Sequence, residues 1–128
     1  MLWNRAWLYF IQKKEEPPVE PVIEWVTNVA TARGNNFEID NTNKTVIVYK
    51  RYASNGTTLY NMDFIPEVLE GYEPVKPEGL GVYSTYWRKG ASGSDNQTFK
   101  YTFDIINSST NEVVATYSLT LDFTSIGG

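Results

Sequence analysis

The sequence predicts an all-β domain, an antiparallel β-sandwich of about seven strands. Three observations carry that expectation. Apolar and polar residues alternate with a period of 2 over two long segments near the C-terminus, which places every second side chain on one face of a strand. Gly, Asn, Asp and Pro clusters recur at short intervals and read as turns. No stretch shows the apolar period of an amphipathic helix of useful length. The aromatic content of 15% suits pleated, half-buried surfaces.

The closing hairpin has the clearest pattern. Phe99, Tyr101, Phe103 and Ile105 share a face, with Lys100, Thr102 and Asp104 between them. After the turn-forming residues 107–111, Val113, Ala115, Tyr117, Leu119, Leu121 and Phe123 share the apolar face. Working forward from the spacer, residues 22–26 open the sheet, with the strand extending at most to Ala32. Residues 37–40 form a short strand. Residues 44–52 follow, and the apolar run from Thr45 to Tyr49 places that strand centrally with both faces buried. Asn55-Gly56 is a hairpin signal, and residues 57–65 return. Residues 66–81 hold Pro and Gly enough to forbid a long element and allow one helical turn at 67–70. Loops of that length tend to be functional. Residues 82–88 read as one strand, and residues 89–96 as a loop.

Composition removes several chemistries. There is no Cys and no His, so disulfides, thiolate metal sites and His-based triads cannot be built. The net charge of −4 disfavours binding to nucleic acid. The carboxylates Asp63, Glu67 and Glu70 read as solvent contacts rather than a glycosidase pair. The oxygen-rich runs 40–43 and 94–96 lack the ligand spacing of a calcium loop. The sequons at Asn43, Asn55, Asn96 and Asn107 carry no weight in a chain so rich in Asn and Thr. No enzyme activity, cofactor or metal is expected. Tyr83, Tyr86 and Trp87, joined by Tyr60 and Tyr72, are the candidate carbohydrate site, because aromatic faces and amphipathic edges suit sugars. Read as one strand, residues 82–88 put Tyr83 and Trp87 on one face and Tyr86 on the other.

The N-terminus is the second candidate. Residues 1–12 hold Trp3, Trp7, Leu8, Tyr9 and Phe10, and residues 13–21 hold three of the six prolines. The apolar run is shorter than a bilayer span requires and lacks the features of a signal peptide. A membrane-surface helix would want more flanking Lys and Arg, so membrane contact is disfavoured. The reading favoured is a peptide that docks into a partner protein, ahead of a tail packed on its own domain. The prolines form an extended, semi-rigid spacer, and residues 22–128 form the β-domain.

This layout, an aromatic peptide, a Pro-rich spacer at residues 15–21 and a small all-β domain ending in the hairpin around residues 107–116, resembles the immunoglobulin-like accessory proteins of tailed-phage virions. The resemblance implies a structural or decoration protein of a capsid, tail or fibre, without enzymatic activity, assembled in the bacterial cytoplasm. Its N-terminal peptide would anchor it to another virion protein or to a second copy. The alternative is a carbohydrate-binding or cell-surface adhesion module.

Overall fold

The computed structural model describes residues 21–53, 59–92 and 97–126. The aromatic peptide with Trp3, Trp7, Leu8, Tyr9 and Phe10, most of the spacer, the Asn55-Gly56 turn and residues 93–96 lie outside them.

The described chain is all β. Its strands are β1 (Val26–Thr31), β2 (Asn36–Asp40), β3 (Thr45–Ala53), β4 (Leu59–Val68), β5 (Tyr72–Pro74), β6 (Gly81–Tyr83), β7 (Tyr86–Ser92), β8 (Thr98–Asn107) and β9 (Val113–Ile126). Pairing runs β5-β8-β9-β3-β4-β7-β6, with β2 added to β3 and β1 to β4. This gives two sheets, β5-β8-β9-β3-β2 and β6-β7-β4-β1, that meet where Tyr52 and Ala53 of β3 pair with Asn61 and Tyr60 of β4. The expectation of about seven strands is corrected to nine among the described residues. The arrangement is also not antiparallel throughout: β9 runs parallel to β3, with Leu119 beside Val46 and Leu121 beside Val48.

The β8–β9 hairpin forms as the alternation requires. Phe103 faces Tyr117 and Phe99 faces Leu121 across it. Asn107 builds its turn: Oδ1 accepts the N–H groups of Ser109 and Thr110, and its carbonyl accepts that of Asn111. Asn111 takes a φ of 64°, a conformation Asn tolerates.

The inner faces of the two sheets pack one core. Val46, Val48, Met62, Phe64, Ile105, Tyr117, Leu119, Leu121 and Phe123 are fully buried. Trp87 stands edge-on to Phe64 and Phe103 at 5.9 and 5.7 Å, and Phe103 stacks on Tyr117. Such aromatic pairs add about 0.5–1.5 kcal/mol beyond their buried area. Phe99 is only partly buried, edge-on to Phe123 at 5.4 Å. On β3, Val46 and Val48 are buried while Ile47 and Tyr49 are half-buried, so that strand is central but shielded more on one side.

β3 and β4 diverge from their meeting point, and β1 and β2 occupy the space between them. No backbone hydrogen bond joins β1 to β2 among the described residues. A side chain closes the open end instead. Asn41 accepts the Val26 N–H at Oδ1 (3.2 Å) and donates from Nδ2 to the Val26 carbonyl (3.0 Å), mimicking a strand partner. The same Oδ1 accepts the Tyr117 hydroxyl from the core. Burial raises the Tyr117 pKa above its ordinary value.

Three further expectations are corrected. The first strand begins at Val26, not Val22, and residues 21–25 have no regular structure. The stretch after Pro66 contains no helical turn: β4 continues through Pro66 to Val68 and β5 pairs with β8. The Ala32 N–H bonds the Asp63 carbonyl, so Asp63, Ile65 and Glu67 direct their backbone toward β1. Pro66 therefore directs its nitrogen to the opposite edge, where pairing with β7 has ended at Phe64, and its missing donor breaks no ladder bond. The β5–β6 connection is pinned by Lys76, whose Nζ donates to the Leu80 carbonyl at 2.6 Å, and Leu80 is buried in the core. Finally, residues 82–88 are a hairpin, not a strand. Ser84 takes a φ of 57° and turns the chain so that Val82 pairs with Trp87 and Tyr83 with Tyr86. β7 then runs to Ser92, through part of the expected loop.

Two stability measurements follow from this packing. Leu119→Ala should cost on the order of 2–5 kcal/mol in chemical denaturation. Asn41→Ala, which removes the only described bonds between β1 and the turn after β2 and leaves the Tyr117 hydroxyl without its acceptor, should cost about 1–3 kcal/mol.

Candidate functional site

The β6–β7 hairpin brings two of the three predicted aromatics together. Directly opposed residues share a face, so Tyr83 and Tyr86 lie side by side on the outer face of the second sheet. Trp87 points the other way and is 5% exposed in the core. This corrects the expected grouping of Tyr83 with Trp87; the turn at Ser84 reverses the parity. Tyr83 is 47% exposed. Tyr60 packs against the core and Tyr72 lies on β5, at the other end of the strand path, edge-on to Trp25 at 4.9 Å. Neither joins the tyrosine pair.

A charged cluster that the sequence did not single out lies beside the tyrosines. Asp63 sits on β4 opposite Arg88 on β7, and its side chain is fully buried, which corrects its reading as a solvent contact. Arg88 donates from Nε to Oδ1 and from Nη2 to Oδ2, the latter at 2.9 Å. The hydrogen bonds it donates to Asp63 raise the Arg88 pKa above its ordinary value. The guanidinium lies over the Tyr83 ring, 4.1 Å from its centroid, so carboxylate and ring together fix its plane. Arg33, on the connection after β1, brings its Nε to 3.8 Å from Asp63 Oδ2. Arg33 and Arg88 keep 34% and 30% of their side chains exposed. No spacing rule marks this cluster, because three distant segments supply it. The one available signal was the alternation of residues 59–65, which puts Asp63 on the face away from Met62 and Phe64.

The remaining acidic candidates have structural employment. Asp63 and Glu67 share a face of β4 at ~13 Å by strand rise, wider than the roughly 5–9.5 Å between glycosidase carboxylates. Glu67 accepts a bond from Asn28 Nδ2 at 3.0 Å. Asp40 builds the turn after β2. It accepts the Asn43 N–H, the Asn43 side-chain amide and the Thr42 N–H, and these bonds, the Asn43 backbone first, lower its pKa. Among the described residues no group of three or more acidic side chains is arranged to hold a metal ion.

A concave region lies at the open end between β1 and β2. A groove of about 630 Å³ is lined by Val22, Glu24, Val26, Thr27, Ile39 and Asp40, among others. Beside it a recess of about 300 Å³ includes Pro21, Ile23, Trp25 and Lys44. Val22 and Ile23 are each 51% exposed. The chain from the N-terminal spacer enters the domain here.

No protein-family model, curated protein or solved structure matches this chain.

The Asp63–Arg88 pair gives a direct test. Arg88→Ala leaves a buried carboxylate with Arg33 as its remaining cation. Removing one member of a buried pair costs roughly 3–5 kcal/mol, and the partial exposure of Arg88 places the expected loss at the low end. Asp63→Ala combined with Arg88→Ala should recover part of it in a double-mutant denaturation cycle.

Proposed function

We propose that the chain is a structural or decoration protein of a tailed-phage virion, without enzymatic activity, held to its partner by the aromatic peptide around Trp3, Trp7, Leu8, Tyr9 and Phe10. The observation that carries the reading is the sequence of the N-terminal segment, where four large aromatics, Trp3, Trp7, Tyr9 and Phe10, stand ahead of a spacer with three prolines. Large aromatics are the usual anchors of a protein interface, and the Pro-rich spacer provides reach at about 3.1 Å per residue.

The immunoglobulin-like fold is part of the same proposal. If β3 to β9 are lettered A to G in chain order, the pairings become A-B-E-D and A-G-F-C, the strand neighbours of an immunoglobulin-type sandwich. In that lettering, A changes sheets and pairs in parallel with G. β1 and β2 are then additions before strand A. A second reading, a carbohydrate-binding or adhesion module, draws support from the Tyr83–Tyr86 pair and the arginines beside it.

Deleting residues 1–12 should leave the melting temperature nearly unchanged and abolish incorporation into the larger particle or self-association. A truncated protein that fails to fold would show instead that the peptide belongs to its own core, and full-length monomer that co-floats with liposomes would favour a membrane role.

A further inference from the structure

We propose that the outer face of the second sheet binds an acidic sugar, its carboxylate held by Arg33 and Arg88 and its ring laid against Tyr83 and Tyr86. The inference rests on the second functional reading and is independent of the N-terminal peptide.

Charge balance is the first argument. Arg88 alone compensates Asp63, with Nε and Nη2 each on one carboxylate oxygen. Arg33 adds a second cation whose only described polar contact is the ion pair to Asp63 at 3.8 Å. Among the described residues, two guanidinium groups around one carboxylate leave one positive charge without an anion. This occurs on a domain that carries the chain's entire net charge of −4, since Arg5, Lys13 and Lys14 offset Glu15, Glu16 and Glu20 in residues 1–20. A single added oxyanion neutralises the island.

Geometry is the second argument. Arg88 has spent one edge of its guanidinium on Asp63, and among the described residues no bond engages Nη1. Asp63 below and Tyr83 alongside hold it in place, so little side-chain freedom is lost when a ligand arrives. Gly81 stands directly opposite Arg88 and offers no side chain to block the approach. Planar carboxylates match the arginine fork better than a point cation.

The neighbouring surface decides the class of ligand. Tyr83, one face of its ring under Arg88 and the residue 47% exposed, and Tyr86 paired beside it suit a sugar that is apolar on its face and hydroxylated at its rim. A polyanion such as nucleic acid would place further phosphates against an acidic domain, with one net cation to meet them. An acidic peptide would use the arginines and leave the ring faces idle.

Titration of the full-length chain with galacturonic acid and N-acetylneuraminic acid, followed by NMR or calorimetry, tests the site, with galactose, acetate and an acidic peptide as comparisons. The acidic sugars should bind more tightly than galactose and acetate. Arg33→Ala should weaken them about tenfold, the worth of one charge-assisted hydrogen bond, with Arg33→Lys in between. Tyr83→Ala should weaken them while leaving acetate binding unchanged. If galactose binds equally well, the acidic class is wrong and a neutral glycan site stands. If no sugar binds, both the inference and the carbohydrate reading fall. If acetate or the peptide binds as tightly and Tyr83→Ala changes nothing, the site is a bare carboxylate receptor and the proposal is overturned. Should Arg33→Ala fail to fold, Arg33→Lys and Tyr83→Ala decide the question.

Discussion

One strand has to satisfy both sheets. β3 begins between β2 and β9 and ends against β4. Its first half therefore buries Val46 and Val48 beside Leu119 and Leu121 of β9, and its second half turns the ladder toward the opposite sheet. The two sheets cannot slide independently while this strand belongs to both. Its divergence from β4 also creates the space that β1 and β2 fill. The position of the N-terminal strands, the groove beside them and the point where the spacer joins the domain all derive from that bend.

Two polar devices hold regions where apolar packing is insufficient. Asn41 links the backbone of Val26 to the hydroxyl of Tyr117, so the first strand is coupled to the middle of the core. Asp63 and Arg88 perform the corresponding task across β4 and β7. A buried carboxylate is tolerable only where its partner stands opposite, so a register slip of one residue would strand the charge and turn Met62 and Phe64 to solvent. Satisfied polar groups of this kind specify one arrangement among several of similar hydrophobic content.

The closing hairpin was legible in the sequence because its alternation is long and its turn residues are chemically explicit. β2 was legible as a short alternating run between turn residues, and β3 as an apolar run. The β6–β7 turn was not, since Val82, Tyr83, Tyr86 and Trp87 satisfy a period of 2 in a straight strand nearly as well as in a folded one. Only the positive φ of Ser84 separates the two. The continuation of β4 through Pro66 was hidden because a proline is compatible with a strand only on a particular edge, and sequence does not reveal edges. Of the candidate site, the tyrosines were visible as aromatic residues near loops. Arg33 was not, and Asp63 reads in sequence as a solvent contact, because their convergence depends on which strand lies beside β4.

Pro74 sits on β5, the strand at one end of the pairing path. The Val75 N–H is directed to the Asp104 carbonyl of β8, so the Pro74 nitrogen faces outward, where another chain would otherwise find a donor. The opposite end, β6, has no proline, and Val82 there is 64% exposed. Another strand laid against β5 would find one ladder donor missing, a defence against edge-to-edge pairing that β6 does not share.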